Sequence, residues 1–371
     1  MINIDGILKQ AIDREASDIH LISGIKPMFR ISRELLPYTE GEDLTPDDMY
    51  DLYDYFIRGN VDKDKIFKDT RKLDSSFDFD GTRLRVNISY ENDIPLFTLR
   101  IIKSELPTFE QLGVPDIVRR MMYQPQGLVL VTGKTNSGKT TTLNALINDI
   151  NENQNKKILT LESPVEYRHK CKKSIIVQKE VGLGQDSLSY KDGVKNCLRE
   201  DCDILVIGEI RDRETMDAAI ETAESGHLVI GTLHTKSCAE TIDRMINFYD
   251  LSDQQSVKFL IASLLKLVTS QRLIRAKNGK MVLLPEVMVV DNIVQGLIRK
   301  DKFSVSEVED AIQSASSNGS IGLINSLAQL FVDDVISLDQ AKAQLEEKNI
   351  EILNRTIMQL KIKKNNNGQR L

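Results

Sequence analysis

The chain has 371 residues, of which 41% are hydrophobic and 28% are charged, so it is long enough for two or three folded domains. Its formal net charge of -6 argues against strong sequence-independent nucleic-acid binding, and an aromatic content of 5% without Trp supplies few side chains for stacking on single strands. No apolar run reaches the ~20 residues that span a bilayer, and the N-terminus MINIDGILKQ lacks the features of a signal peptide, so we expect a cytoplasmic protein.

Residues 1–103 mix helical and strand patterns. Helical spacing is found in ILKQAIDREA and again in TPDDMYDLYDYFI. Alternating, strand-like runs lie before and after the second helix: DIHLIS, KPMFRIS, SSFDFDG, TRLRVNISY and LFTLRIIK. This order predicts an α+β domain that is built on an antiparallel sheet.

The middle of the chain has the pattern of a parallel α/β domain. Pro107, Gly113 and Pro115 interrupt regular structure, so we interpret residues 104–115 as a linker. Between residues 116 and 290, helical stretches alternate with four short apolar blocks: GLVLVTG, KILTLE, DILVIGE and HLVIGTLH. Such blocks are typical of strands buried on both faces of a parallel sheet, which predicts an α/β core.

Residues 291–360 are predicted to form a helical C-terminal region. The amphipathic segments SVSEVEDAIQSA and INSLAQLFVDDV have apolar residues at helical spacing. The following segment, 361–371, is almost entirely polar, and we expect it to be a disordered tail.

The cysteines indicate a reducing compartment. They show no CxxC pair and no other metal-binding spacing. We therefore expect reduced, structural thiols at all four positions: Cys171, Cys197, Cys202 and Cys238.

The strongest motif is GKTNSGKT, residues 133–140, which fits G-x-x-x-x-G-K-[ST] between a buried strand pattern and a helical one. Gly133 and Gly138 let backbone N–H groups wrap a phosphate without an interfering Cβ. Lys139 supplies a charge for the β and γ phosphates, and Thr140 offers a hydroxyl to Mg²⁺. The alternative is an ordinary glycine turn. The predicted nucleotide-binding residues are Gly133, Lys134, Thr135, Asn136, Ser137, Gly138, Lys139, Thr140 and Thr141.

Acidic residues follow two other apolar blocks. Glu209 follows DILVIG, where an acid could handle the metal ion or its water, although a solvated acid at a strand end is the alternative. Glu162 and Glu166 follow KILTL, and either could accept a proton from the water that attacks the γ-phosphate. Geometry alone does not choose between these two carboxylates.

Two of the four histidines bracket the strand pattern HLVIGTLH. Because His227 and His234 are an odd number of residues apart, their side chains would point to opposite faces of a strand, roughly 23 Å apart at ~3.3 Å per residue. His234 lies at the carboxyl end, where ligands of open α/β sheets bind, and could contact a γ-phosphate oxygen or the catalytic acid. His227 begins the strand, which favours a structural or interfacial role.

Four segments together resemble one family: GKTNSGKTTTLNAL, TLESPVEY, LREDCDILVIGEIRDRETMDAAIETAESGH and GTLHTKSCAETIDRM. They are similar to the four motifs of secretion-type hexameric ATPases, most closely the type IV pilus retraction ATPases, or twitching motility proteins. ASDIHLISGIKPMFRI and LRVNISYENDIPLFTLRII resemble that family's N-terminal PAS-like domain. The resemblance implies a PAS-like α+β domain, a RecA-like P-loop core, a helical C-terminal region and a hexameric ring.

The resemblance also assigns roles to residues. It makes Glu166 the catalytic glutamate, Glu209 the metal-side acid and His234 a sensor of the γ-phosphate. Arg85 and Arg100 match arginines that reach the nucleotide at a subunit interface, with a solvated strand face as the alternative. For Arg83, which shares a strand face with Arg85, a solvated position is the favoured interpretation.

Departures from the family pattern bear mainly on the direction of work, that is, on whether the motor retracts or assembles pili. ESPVE replaces the usual EDPIE, and Lys134 and Asn136 replace the usual Pro and Gly of the phosphate loop, while the spacing and key residues are kept. The segment NIVQGLIRKDK, residues 292–302, matches the family's retraction-linked motif AIRNLIRE only in part.

We therefore predict a homohexameric motor that uses ATP and Mg²⁺ to drive pilus retraction. It would work at the cytoplasmic face of the inner membrane through a platform protein, without a transmembrane segment and without direct nucleic-acid contact. The alternatives are a pilus-assembly or type II secretion ATPase, a RecA-like DNA translocase, and a nucleotide-binding scaffold without turnover.

Overall fold

The computed structural model describes residues 2–32, 34–57, 59–102, 106–182, 185–315 and 318–368. The chain divides into two compact units. The first unit comprises Met1–Leu106, Leu161–Lys170 and Gln178–Gly193, and the second comprises Pro107–Thr160, Cys171–Val177 and Val194–Leu371. Two segments from the middle of the chain thus belong to the same unit as the N-terminal residues, a grouping that the proposed domain boundaries at 103 and 115 did not anticipate.

The first unit contains a six-stranded antiparallel sheet with strand order β3-β2-β1-β6-β5-β4. Its helices are α1 (Ile4–Asp13), α2 (Pro46–Ile57) and α3 (Val61–Thr70). Its strands are β1 (Asp18–Leu21), β2 (Met28–Ile31), β3 (Glu34–Pro37), β4 (Lys72–Phe79), β5 (Thr82–Glu91) and β6 (Ile94–Ile102).

Alternation along β5 decides which face of this sheet is apolar. Leu84, Val86 and Ile88 are buried in the core of the unit together with apolar residues of α1 and α2. Arg83 and Arg85 alternate with them and therefore point to the opposite face. The antiparallel sheet and its helices agree with the α+β domain that the sequence predicts.

The second unit is built on a seven-stranded sheet with strand order β13-β12-β7-β11-β10-β8-β9. Its strands are β7 (Gly127–Gly133), β8 (Lys157–Glu162), β9 (Ile175–Glu180), β10 (Ile204–Ile207), β11 (Leu228–Leu233), β12 (Leu265–Arg275) and β13 (Met281–Val289), and the last residues of β8 and β9 belong to the first unit. The first helices are α4 (Phe109–Leu112), α5 (Asp116–Met121), α6 (Lys139–Asn153), α7 (Tyr190–Cys197), α8 (Arg213–Glu224), α9 (Cys238–Ile246) and α10 (Leu251–Leu264), and the first half of α7 belongs to the first unit. The later helices are α11 (Asn292–Ile298), α12 (Val305–Ser314), α13 (Leu323–Val332), α14 (Leu338–Lys342), a 3-10 helix (Glu347–Asn349) and α15 (Ile350–Gly368).

Parallel pairing brings three strand ends to one edge of this sheet. β7 pairs with β11, and β11 pairs with β10, both in parallel register. Every residue of these three strands is buried, as expected for strands covered on both faces. Because the strands are parallel, the phosphate loop, Glu209 and His234 all follow strands at the same edge.

The C-terminal tail differs from its prediction. Residues 361–368 continue α15 rather than being disordered, and residues 369–371 lie outside the described chain. The physical reason is that Leu353 and Ile357 anchor the helix in the apolar cluster around α13, and extending an existing helix costs less than starting one. Lys364 adds a contact to Asp333 at the end of α13, with 3.1 Å between Nζ and Oδ1.

Of the predicted linker, residues 104 and 105 lie outside the described chain, and the remainder contains the short helix α4, capped by Thr108 and Gly113.

The expectation of four reduced thiols is wrong in the structure, where Cys197 and Cys202 form a disulfide with a Cα–Cα distance of 6.0 Å. The chain reverses between the end of α7 and the start of β10, which brings these two cysteines together. Among the described residues, none of the helices is long and apolar enough to cross a membrane.

Candidate nucleotide-binding site

The phosphate loop joins β7 to α6 and depends on two glycines with positive φ. Gly133 has φ 147° and Gly138 has φ 87°. A Cβ on Gly133 would lie 2.4 Å from Ser137 Oγ and 2.5 Å from the carbonyl oxygen of Gln271. Only glycine therefore fits the first position without displacing the backbone of β12, and Gly138 begins α6 in a left-handed conformation.

Asn136 occupies a position where the resembled family usually has glycine. Its φ is 63°, in the left-handed region. Asn is among the few residues with a side chain that adopt this region readily. The substitution therefore keeps the curvature of the loop, which explains how this departure is tolerated.

Lys139 lies at the first turn of α6, with 9% of its surface exposed. Its Nζ donates to the carbonyl oxygens of Gly133 and Lys134 at 2.7 Å and 3.0 Å. Burial lowers the pKa of Lys139, and the negative charge of Glu209 opposes this effect. The side chain is thus held inside the loop that the sequence predicts to wrap a phosphate.

His234 connects Lys139 to Glu209. Its Nδ1 lies 3.4 Å from Lys139 Nζ, and its Nε2 lies 3.1 Å from Glu209 Oε1. An ammonium group only donates hydrogen bonds and a carboxylate only accepts them. The two contacts are satisfied together by a neutral imidazole that accepts at Nδ1 and donates from Nε2, so this geometry selects one tautomer of His234.

Glu209 is held ionised by two partners. Arg211 donates to its other carboxylate oxygen, Oε2, at 2.6 Å. Burial raises the pKa of Glu209, but Arg211 and His234 together outweigh burial, so the pKa lies below its ordinary value. Lys139, Glu209 and His234, three of the residues singled out in the sequence, are therefore brought together by the structure at one edge of the sheet.

Oxygen donors suited to nucleotide and Mg²⁺ lie in the phosphate loop and after the end of β10. Thr140 follows Lys139 and is half-buried, and Glu209 supplies a carboxylate. Ser137 Oγ is buried and has no hydrogen-bond partner among the residues that the structure describes. Mg²⁺ in nucleotide sites is usually held by hydroxyl and carboxylate oxygens, waters and substrate phosphates, so this donor set fits the metal.

The two carboxylates of ESPVE lie in the first unit and have different surroundings. Glu162 is 6% exposed, and its Oε1 accepts a hydrogen bond from Gln178 at 3.2 Å. Glu166 is half-buried and lines a cavity of about 320 Å³ that is also lined by Arg83 and Asp78. The cavity makes Glu166 accessible to a small molecule such as water, whereas Glu162 is enclosed.

The N-terminal arginines have three distinct environments. Arg85 and Arg100 are register partners on β5 and β6. Arg85 Nε lies 3.9 Å from Asp74 Oδ1, and Arg100 Nε donates to Asp18 Oδ1 at 3.0 Å. Arg83 is only 8% exposed, so its interpretation as a solvated strand residue is wrong.

The cause of Arg83 burial is a partner far away in the sequence. Its guanidinium pairs with Glu180 at the end of β9, and its Nη1 also donates to Asp78 at 2.6 Å. The sequence does not single out Glu180, because one acid at the end of a short strand has no distinctive pattern.

His227 is not part of the cluster around Lys139. Its Nδ1 lies 2.9 Å from Ser225 Oγ and 3.2 Å from the carbonyl oxygen of Thr222. Its own carbonyl oxygen accepts from the N–H of Gly127 at 3.0 Å, at the start of β7. His227 thus joins the amino ends of two strands, whereas His234 lies at the carboxyl end of β11.

The α/β sheet, the phosphate loop and the cluster of Lys139, His234 and Glu209 define a nucleotide-using P-loop ATPase with a RecA-like core. It agrees with the α/β P-loop fold that the sequence predicts.

Comparison with known proteins identifies the family. Residues 92–369 match the family described as Type II/IV secretion system protein. The type IV pilus retraction ATPase PilT of Pseudomonas aeruginosa is 36% identical over 352 residues, covering 93% of this chain and 99% of that protein. A twitching motility protein of Neisseria gonorrhoeae is 36% identical over 76% of this chain and 75% of its own length. The crystal structure of the pilus retraction motor PilT with bound ADP superposes with a TM-score of 0.86 at 35% identity, covering 95% of this chain and 99% of that one. The chain therefore belongs to the type II/IV secretion system protein family.

Proposed function

We propose that this protein is an ATPase motor that drives type IV pilus retraction. The observation that carries the proposal is the contact series from Lys139 through His234 to Glu209 beside the phosphate loop. The names of the similar proteins, a pilus retraction ATPase and a twitching motility protein, support the direction of work. The motor would be a homohexameric ring at the cytoplasmic face of the inner membrane, acting on a membrane platform protein.

Phosphate binding would use groups that already face the loop. Lys139 Nζ, which donates to two loop carbonyls, can turn its donors to the β and γ phosphates of ATP. Ser137 Oγ supplies a further hydrogen-bonding group to the nucleotide. Thr140 and Glu209 would hold Mg²⁺, directly or through water, and the ion neutralises phosphate charge when it is bound.

His234 would report the γ-phosphate to Glu209. Its Nδ1 accepts from Lys139 in the structure, so a shift of Lys139 toward phosphate releases this nitrogen. The imidazole can then turn to contact a γ-phosphate oxygen, which changes its bond to Glu209. The two states of the imidazole couple nucleotide occupancy to the strand end that carries Glu209.

Hydrolysis would use Glu166 and the two arginines that the family resemblance singles out. Glu166 accepts a proton from the attacking water or orients that water. Arg85 and Arg100 stabilise the charge that develops on the transferred phosphoryl group, reaching a nucleotide bound by a neighbouring subunit. Hydrolysis would then depend on ring assembly, as a motor requires.

The catalytic proposal is tested with Glu166→Gln in the full-length protein. ATP binding, measured with a fluorescent nucleotide, should be kept, and the steady-state ATPase rate should fall by about a hundredfold or more, the range expected for loss of a general base. Glu162→Gln is the matched control, because it removes the enclosed acid of the same segment. Equal turnover of wild type and Glu166→Gln would refute the role of Glu166.

The direction of work is tested in cells. Deleting the gene should leave hyperpiliated cells that do not twitch, because assembled pili could not be withdrawn. Bald cells would instead indicate an assembly ATPase. Strong stimulation of the purified ATPase by DNA would contradict both pilus functions.

A further inference from the structure

We infer that the buried ion pair between Arg83 and Glu180 is a positioning device for Glu166, and that it acts through the backbone of Val165. The inference rests on the proposed catalytic role of Glu166. It assigns a function to Arg83 that differs from the functions of Arg85 and Arg100, although all three arginines come from neighbouring strands of one sheet.

The two charged groups hold both polar backbone groups of Val165. Arg83 Nε donates to the carbonyl oxygen of Val165 at 3.2 Å. The N–H of Val165 donates to Glu180 Oε1 at 3.3 Å. The two peptide groups that flank Val165 are thereby oriented, and the second of them leads directly into Glu166. The position of the Glu166 Cα consequently depends on the ion pair.

The ion pair is itself fixed from several sides. The side chains of Arg83 and Glu180 are each only 8% exposed. Ser76 Oγ contacts both of them, and Asp78 accepts from Arg83 Nη1 at 2.6 Å. The backbone N–H of Glu180 donates to Asp186 Oδ2 at 2.9 Å. With so many partners, neither charged side chain can move without breaking other hydrogen bonds.

A buried ion pair is a poor way to gain stability. Removing two charges from water is costly, and apolar side chains of similar volume often stabilise a protein as well or better. What the charged groups provide here is orientation, because a guanidinium donates from fixed directions to a carbonyl and a carboxylate at once. Arg83 and Glu166 also line the same cavity of about 320 Å³. The pair therefore lies where a small displacement would move Glu166 relative to attacking water.

The main test compares Arg83→Lys, the double variant Arg83→Gln/Glu180→Gln and wild type as assembled full-length protein. Lysine keeps the buried charge but cannot donate to Val165 and Glu180 in two fixed directions, and the double variant leaves no unpaired buried charge. We expect kcat to fall by about tenfold to a hundredfold in both, the size expected for a misplaced catalytic group. The dissociation constant of a fluorescent ATP analogue should stay within about threefold of wild type, because the phosphate loop is unchanged.

Tyr53→Phe is the matched control for stability. It removes the 2.8 Å hydrogen bond between Tyr53 and Asp64, a part-buried contact in the same unit that does not touch Val165. We expect this variant to lose thermal stability while keeping its kcat. If the ion pair serves only the fold, Arg83→Lys should keep both the thermal stability and the kcat of wild type. That result would overturn the inference.

Glu166→Gln separates the inference from the proposed function. If Glu166→Gln turns over ATP like wild type, the catalytic role of Glu166 fails. If Glu166→Gln is inactive but the Arg83/Glu180 variants keep wild-type kcat, only the positioning role fails. Combining Arg83→Lys with Glu166→Gln should give no further loss of the residual rate, since Arg83 acts through Glu166. If the losses of rate from the two substitutions multiply in the combined variant, Arg83 has a role that is independent of Glu166.

Discussion

Glu286 gives a pH-dependent test of the packing between β13 and the start of α9. It lies on β13, is 7% exposed, and its Oε2 accepts the N–H of Cys238 at the start of α9 at 2.9 Å. Burial raises the pKa of Glu286 from 4.5 to about 7, although the bond from Cys238 and the charge of Arg272 act in the opposite direction. The nearby acid Glu309 adds to the increase. The carboxyl group is thus protonated in the folded protein at pH values where it is ionised in the unfolded chain.

The sign of the effect on stability follows from proton binding. Between pH 4.5 and about 7 the folded state binds more protons at Glu286 than the unfolded state, so the free energy of unfolding falls as the pH rises through this window. At ~1.4 kcal/mol for each pKa unit, the complete effect is about 3 kcal/mol, most of it between about pH 5 and about pH 8. Glu286→Gln removes the titration but keeps an oxygen that can accept from Cys238.

The assay is thermal unfolding of wild type and Glu286→Gln from pH 5 to pH 8. The unfolding temperature of the variant should rise relative to that of wild type as the pH rises. The expected rise is about 6 °C, at ~2 °C for each kcal/mol in a folded unit as large as the second one. Glu307→Gln, which removes an exposed carboxylate of α12, should show no comparable trend. A difference between wild type and Glu286→Gln that is constant across this range would refute the reasoning.

Two further predictions concern the phosphate loop and the cysteines. Gly133→Ala should weaken ATP binding at least about tenfold, measured by fluorescent-nucleotide titration, because its Cβ would lie 2.5 Å from the carbonyl oxygen of Gln271. Gly296→Ala in α11, where a Cβ would meet no atom within 4 Å, should bind ATP like wild type. In unfolded, non-reduced protein, alkylation and mass spectrometry should modify two of the four cysteines and leave the Cys197–Cys202 pair unmodified. Modification of all four without reductant would contradict this pairing.

Elements with a continuous local pattern were predictable from the sequence, and elements without one were not. β7, β10 and β11 are runs of apolar residues, and the structure buries every residue in them. Helix α3 was missed because charged residues dominate it and only Phe67 is buried, so it lacks an apolar stripe. β12 was missed because buried polar residues, Ser270 and Gln271, interrupt its apolar pattern.

The same distinction applies to the site. The phosphate loop is contiguous, so its residues and their spacing are visible in the chain itself. Parallel strand order then allowed Glu209 and His234 to be placed near Lys139, because strand ends share an edge. The Arg83–Glu180 pair joins residues 97 positions apart, and no local pattern indicates which acid reaches which arginine. Long-range pairings of this kind become visible only when the fold is known.

Arg83 and Arg85 show why sharing a strand face does not determine a function. Alternation places both on the face opposite the core, yet Arg83 is enclosed by four polar partners while the side chain of Arg85 is 38% exposed. Arg100 is 61% exposed and has a carboxylate partner in Asp18. Exposed ion pairs contribute less than about 1 kcal/mol, so Arg85 and Arg100 can leave their partners for a phosphate at little cost. Arg83 cannot, because releasing it would leave Glu180 buried and unpaired. The arginines suited to sense a nucleotide are therefore the weakly held ones, and the strongly held one is suited to fix the geometry of Glu166.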